Sequence, residues 1–164
     1  MAFFKPERYF KRITDIDVQS DIAALGFTHV LVDVDNTIRS REDGLVPDDV
    51  KEWLEEAARA GVTVCLFSNN WHDNVFDLGR QLDLPVVAKA MKPLPYAYFH
   101  AKRQVGCPLG TTLAIGDQLL TDICGAHVLG VTAYLVEPLA QKDLRHTVVL
   151  RRLERKLMGP LQPE

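Results

Sequence analysis

The stretch that decides the fold runs from residue 28 to residue 37 and reads Thr-His-Val-Leu-Val-Asp-Val-Asp-Asn-Thr. Its apolar run from Val30 to Val32, with two β-branched valines, is typical of a strand buried in a parallel sheet. Two carboxylates, Asp33 and Asp35, follow at once, and alternate residues of an extended chain point the same way. Open α/β sheets bind ligands just beyond the carboxyl ends of their strands, so we expect both acids at such a site. Because neighbouring carboxylates repel unless a cation or a shared proton relieves them, the first hypothesis is metal and acid chemistry.

Two other interpretations of this acidic cluster have to be weighed. A turn or capping cluster is the first, because Asp, Asn and Thr are common in turns. A calcium-binding loop is the second, since it also begins with alternating oxygen ligands, but it requires Gly at its sixth position and Glu at its twelfth. Counted from Asp33, those positions hold Ile38 and Gly44, which excludes a calcium loop of this kind.

The composition is that of a globular domain. The chain has 164 residues, of which 47% are hydrophobic and 25% charged, and these values fit one domain with a sizeable core. No apolar stretch approaches the ~20 residues that span a bilayer, and the first residues lack the pattern of a signal peptide. The three cysteines are widely spaced and odd in number, which argues against a disulfide framework and against a zinc site. A reducing cytoplasm is therefore the expected compartment.

Along the rest of the chain, strand and helix signals alternate, which indicates βαβ units around a parallel sheet. We predict a single Rossmann-like α/β domain over residues 1–164, with a parallel sheet of about five strands and helices on both faces. It comprises an N-terminal amphipathic segment with a short helix (1–26), a catalytic core (27–137) and a basic C-terminal helix and tail (138–164). The predicted strands are 28–33, 62–67, 85–88, 112–115 and 132–136. The predicted helices are 17–25, 47–60, 74–82, 96–105, 121–129 and 144–157.

Polar residues interrupt this pattern where the predicted strands end. Asp33 and Asp35 follow the first strand, Ser68 and Asn69 the second, and Asp117 the fourth, while Lys92 follows the third after a short loop. The carboxyl ends of parallel strands share one edge of a sheet, so these groups can meet there. Carboxylates suit a hard cation such as Mg²⁺, and an ammonium with hydrogen-bond donors suits phosphate oxygens. The sequence therefore predicts a site for Mg²⁺ and a phosphate.

The motifs that carry these residues resemble, in order, the four motifs of the haloacid dehalogenase (HAD) phosphatases. They are Asp33-Val-Asp35-Asn-Thr, Ser68-Asn-Asn, Lys92-Pro, and Gly116-Asp117-Gln-Leu-Leu-Thr-Asp122. More narrowly, the chain resembles the subfamily IIIA, YqeG-like proteins, which are related to mitochondrial phosphatidylglycerophosphatases. The resemblance extends from about residue 5 to residue 157 and implies phosphate monoester hydrolysis.

The resemblance also implies a role for each residue. Asp33 would be the nucleophile that forms an aspartyl-phosphate, and Asp35 the general acid and then the general base. Ser68 and the backbone N–H of Asn69 would hold phosphoryl oxygens, and Lys92 would neutralise charge on the nucleophile and the phosphate. Mg²⁺ would be bound by the Asp33 carboxylate, the Asp35 backbone carbonyl and the Asp117 carboxylate. Asp122 would support this site from behind, although direct ligation stays open.

Simpler roles exist for several of these residues. The Ser68-Asn69-Asn70 run could cap the following helix, and Asp122 could be a helix N-cap. Lys89 competes with Lys92 for the role of the phosphate-binding lysine, and Pro93 directly after Lys92 matches the family pattern and favours Lys92. Trp71 and His72, which follow the second motif, could line the substrate entrance, although exposed-loop or packing roles are the simpler expectation.

The gaps between the motifs leave no room for a cap domain, so we expect an open site that suits large substrates. The predicted function is Mg²⁺-dependent hydrolysis of a phosphate monoester, with phosphatidylglycerophosphate as the leading substrate by resemblance. The alternatives are a phosphatase for a soluble phosphometabolite or phosphoprotein, and a non-catalytic partner-binding protein that retains the fold. No nucleic-acid partner is expected, and the sequence carries no information on oligomeric state.

Charge is unevenly distributed along the chain. Residues 1–13 carry a net charge of +3 and residues 140–158 carry +4, whereas the whole chain carries −3. Both ends interleave apolar with basic residues and could pack on the domain with their charges in water. Alternatively, they could rest on an anionic membrane such as the inner membrane surface, since interfacial segments use aromatic and basic residues. Charge reversal at Arg8, Lys11, Arg152 and Arg155 would test that second interpretation.

Overall fold

A computed structural model describes residues 4–71, 74–140 and 162–164 of the chain. Within them, six parallel strands form one sheet in the order β1-β6-β5-β2-β3-β4. This arrangement confirms the predicted fold class, a parallel α/β sheet with helices on both faces. The basic helix predicted for residues 144–157 lies outside the described residues.

The strands begin and end close to where the sequence pattern places them. Neighbouring strands are in register at the ends that carry polar residues, since Val32 lies beside Leu66 of β3 and beside Ile115 of β5. The polar residues that follow these three strands are therefore brought to one edge of the sheet. The strands are β1 (Arg8–Phe10), β2 (His29–Val32), β3 (Thr63–Phe67), β4 (Val86–Val87), β5 (Thr112–Gly116) and β6 (Thr132–Val136).

The sixth strand, β1, was not predicted. It lies at the edge of the sheet and pairs with β6 alone, Arg8 beside Tyr134 and Phe10 beside Val136. A three-residue strand that mixes arginine with aromatic residues has too little alternation to be recognised by its own pattern. The prediction of about five strands is therefore corrected to six, and the N-terminal segment contributes to the sheet itself.

The helices pack against both faces of the sheet, and each face has its own core. One core joins Val30, Val32 and Leu66 of the strands to residues of α1 and α2. The other joins Leu31 and Phe67 to residues of α3 and α4, as expected when alternate residues of buried strands point to opposite faces. The helices are α1 (Asp48–Arg59), α2 (Asn74–Leu82), α3 (Pro95–Val105) and α4 (Cys124–His127), with helical turns over Val18–Ile22, Ala23–Leu25 and Leu119–Ile123.

The N-terminal segment is packed on the domain. Phe10 and Ile13 are buried in the core. The Arg8 guanidinium forms ion pairs with Asp21 and Glu164, both at 2.6 Å, and lies over the Phe10 ring. Arg12 forms an ion pair with Asp49 at 2.6 Å. The N-terminal segment is therefore packed on the domain, as the first of the two interpretations of the basic ends expects. Arg8 and Arg12 both pair with acidic residues of the protein.

No helix within residues 4–71, 74–140 and 162–164 is both long and apolar enough to cross a membrane. Between β2 and β3 the described chain contains one loop and α1, and between β3 and β4 it contains α2. In the described part of the chain, no cap domain covers the sheet edge that carries the polar residues.

Candidate active site

A buried lysine lies at the centre of the site. The Lys92 ammonium donates to Asp33 Oδ1 at 2.7 Å and to Asp122 Oδ1 at 2.6 Å. These side chains come from three separate segments: the end of β2, the loop after β4 and the helical turn after β5. Lys92 is only 5% exposed and Asp33 only 7%. Charges this deeply buried require partners, and each of these finds its partner in another segment.

Asp117 completes a group of three buried carboxylates. One oxygen from each of Asp33, Asp117 and Asp122 lies within 4.8 Å of the others. Asp122 is held from two sides, because its second oxygen accepts a hydrogen bond from the backbone N–H of Gln118 at 3.1 Å. Asp122 is inside the helical turn Leu119–Ile123, whose N-cap is Gln118. It is therefore not the N-cap that the sequence allowed.

A glycine makes room for this arrangement. A Cβ atom added at Gly116 would lie 2.3 Å from the carboxylate carbon and one oxygen of Asp122. No side chain can be accommodated there unless Asp122 moves. The Gly-Asp pair at the end of β5 thus supplies both a carboxylate and the space for a second one.

The Asp35 carboxylate is held by two side chains, one of which, Arg39, belongs to none of the four motifs. Arg39 donates to Asp35 Oδ1 at 2.6 Å, and the Asn70 side chain donates to Oδ2 at 3.3 Å. The turn that contains Asp35 closes back on itself, because the backbone N–H of Asn36 donates to the Arg39 carbonyl at 2.7 Å. Arg39 lies four residues after Asp35, but that spacing predicts a contact only within a helix, and these residues form a turn. Asp35 remains partly exposed at the edge of the cluster.

Asn69 uses its side chain for a purpose that the sequence did not indicate. Its amide accepts from the Lys92 backbone N–H at 2.7 Å and donates to the Lys92 carbonyl at 2.9 Å. This pair of hydrogen bonds joins the loop after β3 to the lysine segment. The neighbouring Ser68 is buried, and its hydroxyl accepts from the Asn70 backbone N–H at 3.0 Å. Each of these residues thus helps to shape the loop in which it lies.

Lys92, and not Lys89, is the lysine within the acidic group. The Lys89 side chain is exposed, and its ammonium lies 5.4 Å from the centre of the Trp71 ring. His72 lies outside the described residues. Tyr98 of α3 is a further supporting residue, since its hydroxyl donates to the Asp122 carbonyl at 3.1 Å.

The electrostatics of the site follow from this packing. Burial raises the pKa of Asp33 to about 6; the charge of Lys92 opposes the shift and that of Asp122 adds to it. Burial alone would lower the pKa of Lys92, but the charges of Asp122 and Asp33 outweigh it and hold that pKa above its usual value. Three carboxylates face one ammonium, so the group carries excess negative charge. A bound cation would relieve this repulsion.

The donor set suits a divalent hard cation. All three acidic side chains offer oxygen ligands, which Mg²⁺ prefers. No thiolate or imidazole belongs to the group formed by Asp33, Asp117 and Asp122 in the described part of the chain. Both oxygens of Asp122 already accept hydrogen bonds, so Asp33 and Asp117 are the better candidates for direct ligands.

Comparison with known proteins places the chain in a family. A model of the haloacid dehalogenase-like hydrolases matches residues 5–130. A probable phosphatase, YqeG of Bacillus subtilis (strain 168), is 31% identical over 160 residues, which cover 98% of this chain and 92% of that protein. The chain therefore belongs to the haloacid dehalogenase-like hydrolases, and it is an enzyme of their phosphatase type. The resemblance to YqeG-like proteins that the motifs indicated is confirmed.

Solved structures share the fold. A protein of Listeria monocytogenes serotype 4b superposes with a TM-score of 0.56 at 14% identity, over 79% of this chain and 99% of that one. A HAD phosphatase from Thermococcus onnurineus superposes with a TM-score of 0.51 at 21% identity, over 61% of this chain and 50% of that one. At these identities the likeness establishes the architecture alone.

Proposed function

We propose that this enzyme hydrolyses phosphate monoesters with Mg²⁺ through an aspartyl-phosphate on Asp33. The observation that carries the proposal is the position of the Lys92 ammonium between Asp33 and Asp122, with Asp117 beside them. A carboxylate with a buried cation at its side can approach a phosphate dianion without prohibitive repulsion. Positioning and charge stabilisation are also the main requirements of phosphoryl transfer.

In the proposed first step, a carboxylate oxygen of Asp33 attacks phosphorus and the ester P–O bond breaks. Asp35 gives its proton to the departing alcohol oxygen, which leaves as the alcohol. In the second step, a water molecule gives a proton to Asp35 and attacks the phosphorus of the aspartyl-phosphate. The bond between phosphorus and Asp33 then breaks, and inorganic phosphate and the Asp33 carboxylate are released.

The remaining residues position these groups. We assign Ser68 and the backbone N–H of Asn69 to the phosphoryl oxygens and Lys92 to the charge on Asp33 and phosphate. The Asn69 side chain keeps Lys92 in place through its backbone. The residues that would hold Mg²⁺ are the Asp33 and Asp117 carboxylates and the Asp35 backbone carbonyl, with Asp122 behind them. When bound, the cation would supply further neutralisation of phosphate charge.

The lack of a cap domain among the described residues supports a large or extended substrate. We propose phosphatidylglycerophosphate as the first substrate to test, because of the resemblance to the phosphatidylglycerophosphatase-related group. YqeG, a probable phosphatase, agrees with the proposed reaction and does not identify a substrate. A soluble phosphometabolite or a phosphoprotein is the alternative. The non-catalytic interpretation is disfavoured, because a binding scaffold gains nothing from three buried carboxylates that repel one another.

The proposed peripheral membrane contact depends on basic residues other than Arg8 and Arg12. Those two arginines form ion pairs with Asp21, Glu164 and Asp49. Lys11 is exposed at the N-terminal segment, and the basic stretch 140–158 adds a net charge of +4. An anionic surface would attract these residues by ~1 kcal/mol each.

The test of the proposed function is a panel of phosphate monoesters, including phosphatidylglycerophosphate, assayed with Mg²⁺ and with EDTA. We expect hydrolysis that EDTA abolishes and Mg²⁺ restores. Activity that survives EDTA and is blocked by thiol reagents would replace this mechanism with a cysteine mechanism. The structure disfavours Cys65 as that thiol, since burial, aided by Cys107, raises its pKa to about 12, and thiols react as thiolates.

A further inference from the structure

Two loops of the candidate site continue outward side by side. The loop after β3 carries Ser68 and Asn69, and the loop after β4 leads to Lys92. The backbone N–H of Lys89 donates to the Asn70 carbonyl at 3.2 Å, and that of Ala90 donates to the Ser68 carbonyl at 3.0 Å. These hydrogen bonds join the two loops. The residues next to them in the chain, Trp71 and Met91, are therefore positioned relative to the site.

The second loop has an unusual backbone. Lys89 has φ 53° and Met91 has φ 64°, a region that residues with side chains adopt at a cost. Such conformations persist where the surroundings enforce them, and they cluster at functional sites. Here they flank Ala90, which is buried, and they direct the chain into Lys92.

Each of these two loops exposes one large apolar side chain. Trp71 is 65% exposed and Met91 is 40% exposed. The Lys89 ammonium lies 5.4 Å from the centre of the Trp71 ring, a cation–π contact. Single exposed apolar residues are ordinary. These two differ because Trp71 directly follows Asn70, which contacts Asp35, and Met91 directly precedes Lys92, which contacts Asp33.

The position of Asp35 gives the direction of the leaving group. A general acid must reach the oxygen of the departing alcohol, so the alcohol lies on the Asp35 side of the phosphate. The Asn70 side chain donates to Asp35 on that side, and the chain continues from Asn70 to Trp71. The alcohol portion of the substrate would thus meet Trp71 and its neighbours as it extends outward.

We propose that Trp71, Met91 and Lys89 form a subsite for the alcohol portion of the substrate. Its ligand is an alcohol with an aromatic or extended apolar group, which packs on Trp71 and Met91, and an anionic substituent, which pairs with Lys89. This inference rests on the proposed function, because it takes Asp35 as the general acid. It adds the chemical class of the leaving group, which the phosphate-binding residues do not specify.

The test of the apolar part compares two esters, 2-naphthyl phosphate and glycerol 3-phosphate, on the full chain. The measured quantity is kcat/KM for the naphthyl ester divided by kcat/KM for glycerol 3-phosphate. Trp71→Ala is expected to lower this ratio about three- to tenfold, because an aromatic contact is lost. The loss should lie mainly in KM, because Trp71 binds the alcohol without touching the reacting atoms. Tyr96→Ala is the matched control, since Tyr96 is 56% exposed on α3 and stacks on His100; its ratio should stay that of wild type.

The test of the charged part compares 6-carboxy-2-naphthyl phosphate with 2-naphthyl phosphate at low and high salt. Lys89→Met is expected to remove a preference of about two- to fivefold for the carboxylated ester, the size of an exposed ion pair. The preference of the wild type should shrink at high salt, because exposed charges are screened. Lys102→Met, a change at an exposed lysine of α3, is the control and should keep the preference.

Two results would overturn the subsite. One is an unchanged substrate ratio in Trp71→Ala, and the other is an equal change in Trp71→Ala and Tyr96→Ala. Both leave hydrolysis of glycerol 3-phosphate measurable and so leave the proposed function standing. Failure of the proposed function looks different, since the wild type would then hydrolyse none of these esters with Mg²⁺.

Discussion

At the scale of single residues, burial changes the protonation of Asp33, which lies beside Lys92. Asp33 is a carboxylate whose pKa burial raises to about 6, while Lys92 opposes the shift. The raised pKa means that the folded, metal-free protein binds a proton at Asp33 more tightly than the unfolded chain does. Asp33 therefore favours folding below pH 3.8, and this contribution is lost as the pH rises through 6.

Asp33→Asn tests both the nucleophile and this linkage. The variant should lose turnover, and in EDTA it should be more stable than wild type above pH 6 by about 1–3 kcal/mol. The advantage should fade towards pH 4, because Asp33 of the folded protein is then protonated and the unfolded chain approaches its own pKa of 3.8. Denaturant unfolding at pH 4, 6 and 8 measures the difference, and Mg²⁺ should stabilise the wild type more than the variant. Wild-type-like hydrolysis by the variant would rule out Asp33 as the nucleophile.

The two lysines near the site should differ sharply in importance. Lys92→Ala removes a buried cation from between two carboxylates, and a loss of tenfold to thousandfold in kcat is expected (~1.4–4 kcal/mol). Lys89→Ala, at an exposed residue, should lose far less. Steady-state kinetics on glycerol 3-phosphate with matched circular dichroism spectra decides the ranking. The reverse order would assign the phosphate to Lys89.

At the scale of elements, the site depends on how the segments after the strands fit one another. The Asn69 side chain joins the loop after β3 to the lysine segment through two backbone hydrogen bonds. Arg39 and Asn70 hold Asp35 from two sides. The turn after β5 places Asp122 directly above Gly116. Residues from other parts of the chain therefore orient Asp35 and Lys92 of the candidate site.

Gly116→Ala tests the fit between β5 and the turn that follows it. The new Cβ would overlap the Asp122 carboxylate, so Asp122 must leave Lys92 or the backbone must shift. We expect a loss of about 1–3 kcal/mol in unfolding free energy and a fall in kcat of at least about tenfold. Gly110→Ala is the control, because a Cβ there meets nothing within 4 Å. Equal behaviour of the two variants in melting and kinetics would contradict the proposed role of Gly116.

At the scale of the whole molecule, the basic ends of the chain raise the question of membrane contact. The structure changes which residues can test it. Arg8 is held by Asp21, Glu164 and the Phe10 ring, so its reversal would disturb the edge of the sheet. Lys11 is exposed and can be reversed with less structural cost.

The expected result is salt-sensitive co-sedimentation with vesicles that contain anionic phospholipid. Reversal of Lys11, Arg152 and Arg155 to Glu should weaken it by about 3 kcal/mol or more, given ~1 kcal/mol for each basic residue. Vesicles of neutral lipid serve as the control. Tighter binding to nucleic acid than to these vesicles, or binding to neither, would remove the membrane proposal and leave the hydrolase chemistry untouched.

The sequence alone determined the fold class and the membership of the acidic site. Apolar runs that end in Asp33, Ser68 and Asp117 reveal buried parallel strands and their carboxyl ends, because both properties are local and periodic. The four motifs indicated that Lys92 and Asp122 belong to the same site. Only the tertiary structure decided that β1 joins the sheet, that Asn69 holds the Lys92 backbone and that Arg39 holds Asp35. Pairing of a short edge strand and the choice of hydrogen-bond partner depend on which segments packing brings together, and no local pattern encodes that.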